Sequence, residues 1–126
     1  MTRGRAILFA ALAVAGALSP AAPPAHSLLV RSEPGRGATV TRAPERVRLW
    51  FSEQIEPAYA QLSVWSKTGT QVDGGDAAVD SNDPTLLSVS TPTLGPGRYT
   101  ARFRVLAVDG HVVESSFAFT VKAAAR

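Results

Sequence analysis

Strict alternation of apolar and polar residues near the C-terminus most constrains the fold of this chain. Residues 98–107 place five apolar side chains on one face and mostly Arg and Thr on the other, and residues 112–121 carry a similar alternation. A period of two is typical of antiparallel strands that face a core on one side and water on the other. No segment carries a convincing helical period. The pattern therefore predicts an all-β protein.

Shorter strands are predicted upstream, where apolar runs are separated by Gly, Pro and Asp turn signals. They cover residues 28–32, 45–52, 59–66 and 85–90, with a short edge strand within 72–78. About seven strands in roughly a hundred residues are typical of two packed sheets with Greek-key connections. We therefore predict a Greek-key β-sandwich or barrel.

The N-terminus has the layout of a secretory signal peptide. Arg3 and Arg5 form a positive segment, and residues 6–18 are an apolar run of thirteen residues. Such a run is shorter than the roughly 20 residues that an ordinary transmembrane helix needs. We expect residues 1–25 to be removed and residues 26–126 to form one small domain that works outside the cytoplasm, for example in a periplasm.

Two positions compete for the signal-peptide cut. Cleavage after Ala25 makes His26 the first residue of the mature chain but leaves Pro23 at position −3, where a small residue is preferred. Cleavage after Ala21 puts Ser19 at that position, which fits the preference better. The choice decides whether His26 has a free α-amine.

Composition excludes several classes of protein. The chain has no cysteine, which removes disulfides, thiol catalysis and thiolate metal sites. Its one methionine is Met1, so the mature chain has no sulfur to hold Cu(I). Without the two leader arginines, 11 of the 13 basic residues remain against 10 acidic ones, and they form no basic run. Nucleic acid is therefore not an expected partner.

The chain has only two histidines, and both lie where a metal site can form. An N-terminal His26 can bind one ion through its α-amine and its imidazole Nδ1. His111 follows Asp109 and Gly110 in the connection between the two clearest strands, although Asp-Gly is also an ordinary turn sequence. A second imidazole and a carboxylate would complete a nitrogen-rich site, and nitrogen ligands in a flat arrangement favour Cu(II). Spacing alone does not show that the two histidines meet.

Several stretches of the chain together match one known family in order and spacing. They are HSLLVRSEP at 26–34, LWFSEQIEP at 49–57, LGPGRYT at 94–100, VLAVDGH at 105–111 and SFAFTV at 116–121. From residue 26 to 122 the chain thus resembles the CopC/PcoC family of exported copper-resistance proteins. The resemblance implies a seven-stranded cupredoxin-like or immunoglobulin-like barrel that binds one Cu(II) ion at one end.

The resemblance also implies which residues hold the ion. Carried over to this sequence, the ligands are His26, through its amine and Nδ1, with Asp109 and His111. Glu53 corresponds to a glutamate that lies next to the ligands in the family. Val112 stands where the family usually has proline, which changes the stiffness of the loop and not the ligands.

The leading prediction is a monomeric copper carrier or buffer, and not an enzyme. It would act in copper resistance or homeostasis and hold Cu(II) or pass it to an inner-membrane copper transporter. One alternative is a metal-free immunoglobulin-like adhesion or interaction module, which Trp50 and Trp65 would support if they lie off the core. The other is a copper monooxygenase with a histidine brace. Such an enzyme needs an open coordination position for oxygen, which Asp109 would occupy or shield, and a broad flat substrate surface, for which this domain is small.

Overall fold

Two four-stranded sheets account for most of the described part of the chain, residues 28–123 of this computed structural model. The strands are β1 (Leu29–Glu33), β2 (Thr39–Val40), β3 (Arg46–Phe51), β4 (Gln61–Ser66), β5 (Ala78–Val79), β6 (Leu86–Ser90), β7 (Gly97–Leu106) and β8 (Val112–Val121). One sheet has the order β1-β3-β6-β5 and the other β2-β8-β7-β4. The predicted all-β sandwich is confirmed.

The core lies between the two sheets and is built from alternate strand positions. Its fully buried members include Val47, Leu49, Val64, Leu87, Val89, Ala101, Val105 and Phe119. Aromatic rings link the sheets, since the Phe51 and Phe103 centroids are 5.6 Å apart in an edge-to-face arrangement. Each large side chain buried in this way contributes roughly 1.5–3 kcal/mol by leaving water. The inward faces predicted for β7 and β8 are confirmed.

The β7 strand is also tied to the turn that precedes it. Tyr99 is buried and stacks on Phe119 with ring centroids 5.6 Å apart. Its hydroxyl donates a 2.6 Å hydrogen bond to the carbonyl of Gly95, four residues upstream. A tyrosine that bonds back to the preceding turn in this way is a known feature of Greek-key sandwiches.

Differences from the predicted strands are confined to short segments. The predicted strand 59–66 begins only at Gln61, because Pro57–Tyr59 form a single 3-10 turn. Strand β2 was not predicted, and its two residues pair in parallel with the end of β8. Two residues are too few to show a period, and β2 forms because its backbone pairs with the free edge of β8.

Three loops meet at one end of the sandwich, which we call the DGH end. They comprise residues 52–60, 80–85 and 107–111. The backbone N–H of Ile55 donates to the carbonyl of Pro84 at 3.0 Å, which joins the first loop to the second. This bond holds the β3–β4 connection against the β5–β6 connection.

Backbone contacts also join the first loop to the third. The N–H of Val108 donates to the carbonyl of Gln54 at 3.0 Å, and Ile55 forms an antiparallel bridge with Ala107. Ile55 and Ala107 are both buried. These contacts join the β3–β4 connection to the β7–β8 connection, so they hold the loop that contains Glu53 against the Asp-Gly-His turn. No helix in the described residues is long and apolar enough to cross a membrane.

Candidate metal centre

A tight turn presents His111 at the DGH end. Gly110 has φ of 97°, a conformation that side-chain-bearing residues disfavour. Its N–H donates to the carbonyl of Ala107 at 2.9 Å, and the N–H of Ala107 donates to the carbonyl of His111 at 2.8 Å. The Asp-Gly pair thus closes the β7–β8 connection, as the sequence predicts, and fixes the direction in which the imidazole leaves the chain.

Asp109 holds this imidazole from the side. Its Oδ1 accepts the backbone N–H of His111 at 3.1 Å, and its Oδ2 lies 2.9 Å from Nδ1 of the ring. An ionised carboxylate only accepts hydrogen bonds, so in the neutral ring Nδ1 carries the hydrogen and Nε2 has the free lone pair. The His111 side chain is 74% exposed, which leaves that lone pair open to a ligand from solvent.

Glu53 adds a second carboxyl to this pair. The pKa of Glu53 is raised, first because its protonated form can hydrogen-bond the Asp109 carboxyl, and then by burial and by the charge of Asp109. The pKa of Asp109 is lowered, chiefly by the backbone N–H of His111 and next by its ring. The pKa of His111 is raised by its hydrogen bond to Asp109 and by that residue's charge. Each of the three groups therefore alters the protonation of the other two.

The structure brings together three of the four predicted site residues. Glu53, Asp109 and His111 meet at the DGH end, whereas His26 lies outside the described residues. Within residues 28–123 no group of three His, Cys, Asp or Glu side chains is arranged to hold a metal ion. The carbonyl of Leu28 accepts the N–H of Ser52 at 2.7 Å, so the chain enters β1 beside the loop that carries Glu53.

One residue of this arrangement was missed by sequence reasoning. Ile55 joins the two loops, yet it lies between polar neighbours in a segment without strand periodicity. The only signal was an isolated large apolar residue between Gln54 and Glu56. Its partner across the bridge could not be named from the sequence.

The two tryptophans do not form open aromatic platforms. Both are half-buried on the outer faces of the sheets. The guanidinium of Arg31 lies 4.4 Å from the ring centre of Trp50, and that of Arg102 lies 5.0 Å from Trp65. Because the protein's own arginines cover these rings, the feature that would have supported an adhesion module is weakened.

Comparisons with known proteins identify the family of this chain. The CopC domain family matches residues 29–122. Copper resistance protein C of Xanthomonas campestris pv. juglandis is 32% identical over 124 residues, which cover 94% of this chain and 97% of that protein. Copper transport protein CutJ of Bacillus subtilis is 26% identical over 98 residues, which cover 77% of this chain but 18% of that protein.

A solved structure extends the match to the fold. The crystal structure of CopC from Methylosinus trichosporium OB3b superposes with a TM-score of 0.70 and 36% sequence identity, covering 80% of this chain and 98% of that one. CopC proteins are periplasmic, bind copper in copper resistance, and are not enzymes. The predictions of family, fold and a non-enzymatic role are confirmed. This chain is a member of the CopC family of copper-resistance proteins.

Proposed function

We propose that the mature protein holds one Cu(II) ion at the DGH end and carries or buffers it outside the cytoplasm. The ligands are His26, Asp109 and His111, and Glu53 lies beside them. The observation that carries the proposal is the exposed imidazole of His111, held by one carboxyl and faced by a second. Residues 1–25 act as the signal peptide, and the protein works as a monomer.

The donor atoms fit Cu(II). An imidazole nitrogen and carboxylate oxygens suit a divalent ion of intermediate softness, and the mature chain offers no sulfur for Cu(I). Glu53 and Asp109 also place two carboxyls against each other, which costs energy when both are ionised. A divalent cation offsets that cost. Since the ligands must lose their protons, binding weakens as the pH falls through the imidazole range.

The start of β1 supports a role for His26. Leu28 is bonded to Ser52, the residue before Glu53. His26 precedes Leu28 by two residues, a span of at most about 7 Å along an extended chain. A mature chain that begins at His26 would therefore hold its amine and imidazole close to the loop that carries Glu53.

A transport role is supported by the composition of one relative. The region of CutJ that matches this chain is less than a fifth of a protein named for copper transport. In CutJ, a region similar to this chain is therefore part of a longer protein that is named for copper transport. We propose that this protein passes its copper to a separate transporter in the inner membrane.

A Cu(II) titration of two purified chains tests the site. A chain of residues 26–126 should saturate at one ion per chain at pH 7, with nitrogen couplings in its Cu(II) electron paramagnetic resonance spectrum. A chain that begins at Ala22 should bind more weakly, because its His26 has no α-amine. Equal affinities would remove the amine from the ligand set. An absence of saturable binding in both chains would leave the metal-free module as the better description.

A further inference from the structure

Exposed apolar side chains cluster around the candidate metal centre. Four large apolar residues in the described part of the chain are more than half exposed. Three of them, Tyr59, Val108 and Val112, belong to or border the DGH end, and the fourth, Val30, lies in β1. Single exposed apolar residues are ordinary on a protein surface, but a cluster beside a binding site marks an interaction surface.

Two of the clustered residues line a small cavity. Tyr59 and Val112 form its walls together with Ala58 and Leu106, and its volume is about 140 Å³. Pockets for drug-sized molecules are usually about 300–1,000 Å³. The cavity is therefore too small for such a ligand and has room for one aliphatic side chain of another protein.

The charge around the cluster selects the kind of partner. The three loops of the DGH end contain no Lys or Arg. Their five carboxyl groups belong to Glu53, Glu56, Asp80, Asp83 and Asp109. The one basic residue in the cavity wall, Arg104, lies 3.6 Å from a carboxylate oxygen of Glu114. Charges that complement an interface steer the encounter and exclude unsuitable partners. A second copy of this chain would bring like charges together.

We propose that Tyr59, Leu106, Val108 and Val112 form the docking surface for a copper-accepting protein, which inserts an aliphatic side chain flanked by Lys or Arg. The inference rests on the proposed function, because His111 lies between Val108 and Val112 in the chain. A partner bound to the docking surface contacts the copper ligands directly, so copper passes to it without release into solvent.

A pair of matched variants tests the docking surface. Tyr59→Ser removes a side chain that is 63% exposed, and Val30→Ser removes one that is 62% exposed outside the docking surface. Cu(II) titration of both purified variants should give the affinity of the unchanged protein. Cells that carry Tyr59→Ser in place of their own gene should be as copper-sensitive as a deletion strain, whereas Val30→Ser cells should keep full tolerance.

The outcomes separate the two proposals. Full tolerance of the Tyr59→Ser cells would overturn the docking surface and leave Cu(II) binding intact. If the unchanged protein fails to bind Cu(II), the proposed function fails first and takes the docking surface with it. Immunoblots of both variants in the cells confirm equal protein levels.

Crosslinking checks the chemistry of the partner. A benzophenone amino acid placed at position 59 in living cells should give an adduct whose contact segment, mapped by mass spectrometry, contains Lys or Arg. The yield should fall as salt is added, since exposed charges are screened. An equal adduct from position 30, a contact segment without basic residues, or an adduct with a second copy of this chain would each contradict the proposal.

Discussion

Two groups of carboxyls in this molecule have the same chemistry but different partners. Asp73, Asp76, Asp80 and Asp83 lie between β4 and β6, and each accepts a backbone N–H. The bond from the N–H of Ser90 to Asp76 is 2.8 Å long and joins residues that are far apart in the chain. The backbone N–H of Ser90 is the main cause that lowers the pKa of Asp76. These carboxylates therefore supply hydrogen-bond acceptors for backbone N–H groups in and beside a connection with little regular secondary structure.

Two other carboxyls, Glu53 and Asp109 at the DGH end, also face side chains. Asp109 bonds the ring and the N–H of His111 within its own turn, and Glu53 faces Asp109. The pKa of Glu53 is raised, whereas hydrogen bonds to Thr85 lower that of Asp83. Asp109 also has a backbone donor, but of these carboxyls only Glu53 and Asp109 are crowded against each other, a repulsion that a cation relieves. The contrast separates structural acids from acids suited to binding.

The largest expected effect comes from removing the imidazole. His111→Ala should lower the Cu(II) affinity of the chain 26–126 by about 100-fold or more, because loss of a ligand exceeds the 10–100-fold effects of groups that only orient ligands. Its Tm without metal should stay close to that of the unchanged protein, since the side chain is exposed. Isothermal titration and thermal unfolding measure the two quantities. Unchanged affinity would remove His111 from the site.

A pair of matched substitutions tests the contrast between the two carboxyl groups. Asp109→Asn should lower the Cu(II) affinity at least about 10-fold, since it replaces a charged ligand, which also orients the imidazole, with a neutral amide. Asp76→Asn should leave the affinity unchanged and lower the Tm, because the connection loses its charged acceptor for the N–H and the hydroxyl of Ser90.

The same two variants serve as each other's control. Titration and unfolding are measured on both, so each substitution is judged against a change of identical chemistry elsewhere. If Asp76→Asn reduced copper binding as strongly as Asp109→Asn, the division into structural and binding carboxyls would be wrong.

The smallest expected effect is a pH dependence of the Asp76 contribution. The pKa of Asp76 in the folded protein lies below its usual value of 3.8. Its stabilisation is therefore present above pH 3.8 and is lost as the pH falls through the folded-state pKa. The difference in Tm between the unchanged protein and Asp76→Asn should be constant from pH 7 to pH 5 and shrink below about pH 4. A gap that widens in acid would contradict the assigned cause.

Much of the fold and part of the site could be predicted because their signals are local. The alternation in residues 98–107 and 112–121 reflects burial on one side of each strand, and the structure buries those faces. The Asp-Gly pair predicts a turn because glycine tolerates the positive φ found at Gly110. Copper as the bound metal came from the type of donors and the matched stretches, and the family match confirms it.

Other features depended on contacts between distant residues. Strand β2 exists because its residues cover the edge of β8, and nothing within Thr39–Val40 announces it. The closeness of Glu53 and Asp109 results from backbone contacts between the loop that connects the two sheets and the β7–β8 turn. No periodicity encodes such a contact, because it arises only after the sheets pack.

The sequence by itself determined the class of fold, the inward faces of the long strands, the tight turn before His111 and the family of the protein. These follow from local geometry and from residue types, which are written in neighbouring positions. Only the tertiary structure decided which backbone contacts bring Glu53 to the Asp109–His111 pair and that Tyr59 lies beside Val112. Both depend on how the sandwich closes at the DGH end, because side chains from separate strands share one environment only when their loops are packed together.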